Sequence, residues 1–214
     1  AGLATQPTST HAGDGLRLQT GAFVTRLQSP IARIGDAIAL LYADYPLRDD
    51  TPFADFHVRL APPRGPRRWF RPQVKFEYDG VAAFRPLPLE QAFPMFEWGL
   101  NWCVSSRAHS YLIIHAAVVE KDGCAAILPA PPGSGKSTLC AALVHNGWRL
   151  LSDELALVRL ADGMLVPVPR PVSLKNASID IVRAYVPGAA ISRAVRDTSK
   201  GTVAHLRAPA CSVQ

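Results

Sequence analysis

The chain has 214 residues, of which 48% are hydrophobic and 19% charged, with a net charge of +6 at pH 7. That is enough for one sizeable core, or a core with a small appendage, in a globular protein. No apolar run reaches the ~20 residues of a membrane-spanning helix, and the opening AGLATQPTSTHAGDG has neither the basic nor the apolar region of a secretory signal, so no membrane and a cytoplasmic setting are expected.

Cys103, Cys124, Cys140 and Cys211 lack C-x-x-C spacing and suggest neither a zinc site nor a disulfide framework; Cys124 and Cys140 are expected as small core residues. Part of the positive charge is concentrated in Arg64, Arg67, Arg68 and Arg71, within the Pro-rich segment APPRGPRRWFRP. Such a segment is a solvated turn or, with Trp69 and Phe70, a dock for an acidic peptide or protein. No nucleic-acid-binding motif accompanies it, so nucleic acid is not an expected partner.

In chain order, residues 1–15 are small and polar and are expected to be a flexible lead. LRLQTGAFVTRLQ alternates apolar and polar positions about Gly21, which predicts two short strands and a turn. A helix follows from Pro30, with Ile34, Ile38, Leu41 and Tyr42 on one face, ending at Tyr45-Pro46. Phe53–Leu60 and Gln73–Tyr78 predict a hairpin around the arginine segment, closed by Asp79-Gly80. Residues 16–87 thus form a small α+β region, in which His57 is expected to be structural. From 88 to 108, the aromatic stripe of Phe93, Phe96, Trp98 and Trp102, with Glu97 and Leu100, predicts a buried helix started or kinked at Pro94. Base stacking is the other use open to Trp98 or Trp102.

Tyr111–Val119 and Cys124–Leu128 predict two strands that turn at Lys121-Asp122-Gly123. The second runs into Ala130-Pro131-Pro132-Gly133-Ser134-Gly135-Lys136-Ser137, a phosphate-loop pattern with Ala in place of the first Gly. Gly133 and Gly135 let backbone N–H groups approach phosphate oxygens, and Ser134 and Thr138 flank them. A helix from near Ser137, closed by Gly147, adds its positive end. Lys136 is placed to reach the β- and γ-phosphates and Ser137 to ligate Mg²⁺, so ATP and Mg²⁺ are the expected cofactors. A Gly/Pro-rich structural turn is the plain alternative.

The short strand Trp148–Ser152 ends in Asp153-Glu154, where a metal-binding carboxylate and a catalytic base belong. Beyond a turn at Ala161-Asp162-Gly163, the rigid stretch Pro167–Asn176 carries Arg170 and Lys175, candidates for the phosphate or acceptor end, or surface charges. Ser178 is expected to cap a helix to about Tyr185. Lys200, in a mobile loop before the strand Thr202–Leu206, is a third such cation.

With His115, GSGKST and HNGWRLLSDELALV in this order, residues 88–214 resemble the catalytic domain of the HPr kinase/phosphorylase superfamily. FEWGLNWC, PVPRPVSLKNASID and DTSKGTVAHLRAP bring the chain closest to the HPr-kinase-related kinase A branch, over about residues 16–210. The resemblance implies an α/β P-loop kinase domain of the phosphoenolpyruvate-carboxykinase-like type, a mixed sheet with flanking helices. It further implies ATP- and Mg²⁺-dependent phosphorylation of a hydroxyl, with a serine of a small protein or peptide as acceptor. It assigns the base to Asp153, the Mg²⁺-binding acid to Glu154, where the family has Asp, and a phosphate contact to His115. Taken by itself, His115 on an apolar strand reads as buried structure. Members usually run further than this chain, so a truncated C-terminus is expected. A P-loop ATPase and a non-catalytic nucleotide- or peptide-binding module are the alternatives, and homo-oligomerisation stays open.

Overall fold

The computed structural model describes residues 14–65 and 70–213, a mixed α/β arrangement of several sheets and helices. The first sheet holds β1 (Leu16–Thr20), β2 (Phe23–Gln28), β3 (Phe56–Ala61), β4 (Gln73–Tyr78) and β5 (Val81–Ala82) in that order, with β6 (Leu87–Pro88) on β4. The β1–β2 turn requires Gly21: its φ is +57°, and a Cβ there would lie 1.9 Å from the Pro167 carbonyl oxygen. β2 and β3 are parallel, so the chain must cross over between them, and α1 (Ala32–Leu41) is the crossover. Its face of Ile34, Ile38 and Leu41 is buried as the spacing predicts. β3 and β4 form the expected antiparallel pair around the arginine segment. Arg64 and Arg71 are exposed there, Phe70 strongly so, whereas Arg67, Arg68 and Trp69 lie outside the described residues, as do residues 1–13 of the expected lead.

The helix of the aromatic stripe is α2 (Ala92–Arg107), with Pro94 in its first turn, where no helical N–H bond is lost. Gly99 lies against β4: an added Cβ would sit 2.0 Å from the Phe76 ring. Trp102 meets Tyr78 and Phe84 edge to face, so its ring belongs to the packing. Leu155, Leu157, Val166 and Val168 join the same core, which therefore draws on both the first 87 residues and the later chain.

The apolar run from Tyr111 divides into two strands. β7 (Tyr111–Ile114) pairs with β11 (Ala156–Arg159), which also pairs with β12 (Leu165–Val166), whereas β8 (Ala116–Lys121) lies between β9 (Cys124–Pro129) and β10 (Arg149–Ser152). The break falls on His115, which is exposed, contrary to the buried strand histidine that its apolar neighbours suggest. Apolar flanks cannot signal a strand that changes sheets. Asp122 and Gly123 both have positive φ, as a two-residue hairpin turn demands. Cys124, in edge strand β9, is exposed rather than core; Cys140 is buried as expected.

α3 (Lys136–His145) ends at Asn146 and Gly147, the latter at φ +82°, and packs on β8 with α4 (Ala177–Tyr185) beside it. β13 (Val172–Lys175) pairs with β15 (Gly201–Leu206), which pairs with β14 (Val195–Thr198); α5 (Ala210–Val213) follows. Asn176, not Ser178, occupies the cap position of α4, and the Ser178 hydroxyl donates back to the Lys175 carbonyl at 2.7 Å. Among the described residues no helix is long and apolar enough to cross a membrane.

Candidate functional site

β9 delivers the chain into the loop 130–135, and α3 begins directly after it at Lys136. Gly133 and Gly135 take φ of +82° and +90°, and an added Cβ at either would meet nothing within 4 Å. The loop is therefore open above its glycines, and Gly133, Ser134 and Gly135 are exposed. Positive φ turns successive N–H groups towards one side, the arrangement that receives an anion at a helix start. The Lys136 ammonium bends back onto the loop, donating to the carbonyls of Ala130 and, at 3.1 Å, of Pro131. Those carbonyls hold it over the loop where phosphate oxygens would compete for it. Thr138 lies one residue further into α3 and is half-buried.

β10 ends at Ser152, and Asp153 comes next to the loop helix: the Ser137 hydroxyl donates to Asp153 Oδ2 at 3.1 Å. The same oxygen accepts from the Ser173 backbone N–H at 2.8 Å. Burial, then the neighbouring Glu154 charge, pushes the Asp153 carboxyl up to about 6.

Glu154 turns the other way. It accepts from the Asn101 amide and pairs with Lys175 at 3.5 Å. Burial raises its pKa, but the charges of Lys200, Lys175, Arg170 and His115 outweigh that and hold it below the ordinary carboxylate value. Lys175 thus contacts Glu154, and His115 and Lys200, 85 residues apart in sequence, both act on its charge.

Two of the cations differ from their expected settings. Arg170 is not a surface charge, and both terminal nitrogens of its guanidinium are held by the protein. It is 6% exposed, donates to the Glu97 backbone carbonyl at 3.1 Å and to Asn101 Oδ1, and pairs with the Glu97 carboxylate at 3.4 Å. Lys200 sits in the two-residue β14–β15 turn, where its N–H donates to Thr198 Oγ1 at 3.0 Å, with its ammonium 5.2 Å from the centre of the Trp98 ring. Asp197 and Thr198 belong to β14 and Gly201 to β15, so a tight hairpin turn stands in place of the mobile loop expected over residues 197–201.

Sequence reasoning missed the supporting shell on α2 and β15. Tyr42 donates to Glu97 at 2.6 Å, Glu97 holds Arg170, and Asn101 links Arg170 to Glu154. Glu97 is fully enclosed, and burial pushes it up to about 7 against the opposing pull of Arg170. His205, 1% exposed and edge-on to Phe93, is driven down to about 3 by burial and is neutral. The signal available was Glu97 and Asn101, four residues apart in a helix that is otherwise apolar up to Val104, which is the spacing of one helical face.

Among the described residues no cluster of three or more His, Cys, Asp or Glu is disposed to hold a metal ion. Mg²⁺ at a phosphate loop does not need one, because it takes hydroxyl, carboxylate, phosphate and water oxygens. Ser137 Oγ and Asp153 Oδ2, side by side, are hard oxygen donors of that kind and fit the ion. No family model, curated protein or solved structure matches the chain.

Proposed function

We propose that the protein is a P-loop kinase of the HPr-kinase-like, phosphoenolpyruvate-carboxykinase-like type, transferring the γ-phosphate of ATP to a hydroxyl of a small protein or peptide. The observation that carries this reading is the Ser137–Asp153 contact: it joins the first turn of the loop helix to the acidic end of the next strand, as phosphoryl transfer requires.

The open glycines of the loop would receive the phosphates, and Lys136, released from the Ala130 and Pro131 carbonyls, would pair with the β- and γ-oxygens. Bound Mg²⁺ would supply charge neutralisation between those phosphates, held by Ser137 and Asp153. The geometry favours an exchange of the roles that the resemblance assigns to the acidic pair. Asp153, in contact with Ser137, would then lie on the metal side, and Glu154, paired with Lys175, on the acceptor side. There Glu154 would take the acceptor hydroxyl proton while the hydroxyl oxygen bonds to the γ-phosphorus and the bond to the ADP oxygen breaks. Lys175 and Lys200 would pass from Glu154 to the transferring phosphoryl oxygens, whose charge they stabilise. Arg170 would act only by holding Asn101 and Glu97.

Calorimetric titration with ATP and Mg²⁺, with and without Lys136→Ala, tests the reading. The wild type should bind, and the variant should bind roughly 10- to 100-fold more weakly, the worth of a charge-assisted contact. Equal affinity would reject the loop as a nucleotide site. Incubation with labelled ATP and a peptide pool distinguishes a phosphorylated acceptor from release of free phosphate alone, the outcome of an ATPase.

A further inference from the structure

We propose that the small pocket enclosed by α2, the Arg170–Ser173 segment and β15 is a binding site for one internal water molecule, which bridges Asp153 Oδ1 to Trp98, Arg170 and His205. The pocket is lined by Trp98, Asn101, Asp153, Arg170, Ser173 and His205 among others, and its free space is about 10 Å³. One water needs roughly 10–15 Å³, so a single oxygen fits and nothing larger does.

Five of the buried side-chain polar atoms that lack a partner among the described residues belong to this lining: Trp98 Nε1, Asp153 Oδ1, Arg170 Nε, Ser173 Oγ and His205 Nε2. Asp153, Arg170, Ser173 and His205 are each more than nine-tenths buried, so bulk solvent does not serve them. Buried polar groups in folded proteins are almost always bonded, and polar atoms facing one gap without touching are commonly joined through water.

Hydrogen-bond chemistry selects the occupant. Trp98 Nε1 and Arg170 Nε can only donate, a carboxylate oxygen such as Asp153 Oδ1 accepts, and His205 Nε2 and Ser173 Oγ can serve either side. A bridging molecule must therefore both accept from the two N–H groups and donate to the carboxylate. A cation is opposed by the Trp98 and Arg170 N–H groups, which point hydrogens at it and cannot ligate it, and an anion by the carboxylates of Asp153, Glu154 and Glu97 that line the pocket. Water is the neutral molecule of that size with two donors and two acceptors.

The site fixes a carboxylate. Ser137 and the Ser173 N–H hold Asp153 Oδ2, and the water holds Oδ1, so the plane of the carboxylate facing the loop helix is set from both sides. This consequence goes beyond phosphate transfer and stands whether or not that reading does.

The test is a crystal structure of the wild-type chain together with water-to-Trp98 indole N–H cross-relaxation by NMR. The expected result is one fully occupied oxygen about 2.7–3.2 Å from Asp153 Oδ1 and from at least two of Trp98 Nε1, Arg170 Nε and His205 Nε2, with a long-lived water signal at the indole. In Trp98→Phe, which removes one donor, that oxygen should lose occupancy or move. A pocket without ordered oxygen, a heavier ion, direct protein bonds closing the gap, or no indole signal would overturn the proposal; none of these readouts depends on ATP turnover.

Discussion

Ser137 on α3 and Asp153 at the end of β10 meet through a 3.1 Å hydrogen bond across sixteen residues of chain. The bond joins the loop helix to the acidic strand end, and the Ser173 N–H completes the grip on the carboxylate. A Ser137→Ala variant keeps the fold, because only the half-buried hydroxyl is removed. Under the proposed function Ser137 is a Mg²⁺ ligand, and its loss should lower Mg²⁺-dependent ATP turnover by at least the roughly 10–100-fold that loss of a ligand's supporting partner costs. Binding of ATP without Mg²⁺ should change little, and parallel titrations with and without the ion check both halves.

Arg170 serves the core. Removing one partner of a buried pair leaves the other charge uncompensated, at a cost of about 3–5 kcal/mol. Arg170→Ala should therefore lower the denaturant midpoint, most strongly above pH 7, where Glu97 can no longer escape by taking up a proton and would be left ionised without its cation. If midpoint and cooperativity matched the wild type, Arg170 would have to be reassigned to ligand contact.

Glu97 gives stability a pH dependence of definite sign. Its folded pKa, about 7, lies above the ordinary 4.5, so the folded state holds the proton more tightly. Its stabilising contribution is complete below 4.5 and is lost as pH rises through about 7. The span corresponds to roughly 3 kcal/mol at most, an upper figure for a carboxylate paired with Arg170. His205 has the opposite sign: with a folded pKa of about 3, it adds stability as pH rises from 3 towards 6.5. Between 4.5 and 6.5 the two oppose each other. Asp153, raised to about 6, has the same sign as Glu97 and also opposes His205. Glu97→Gln, whose amide oxygen can still accept from Tyr42, should therefore flatten the decline of stability between pH 4.5 and 7 in unfolding curves taken from pH 4 to 8. An unchanged pH profile in that variant would remove Glu97 as the source.

Gly99 reports how closely α2 approaches the first sheet. Gly99→Ala gains helix propensity of up to about 1 kcal/mol. It also forces a methyl into the fully buried Phe76 ring, an overpacking of about 1–3 kcal/mol. A net loss of thermal stability is expected. A more stable variant would show that the ring can move aside.

Local pattern determined much of this protein. Gly21, the face of Ile34, Ile38 and Leu41, Asp122-Gly123, and the run from β9 through Gly133 and Gly135 into α3 each specify a turn or an element with bonds made within a few residues. The same locality made loop 130–135 and the neighbouring acidic pair legible as a candidate site.

Tertiary structure decided how those pieces are used. The break at His115 arises because β7 and β8 belong to different sheets, which apolar neighbours in sequence cannot reveal. Arg170 is buried because α2, 73 positions earlier, brings Glu97 to it, and Lys200 meets Trp98 across more than 100 positions. Which carboxylate faces Ser137 and which faces the cations depends on the direction the chain takes between β10 and β11, where Asp153 and Glu154 are adjacent and chemically alike. Charges and hydrogen bonds act through space over a few ångströms, so their partners are fixed only when the sheets have brought distant segments together.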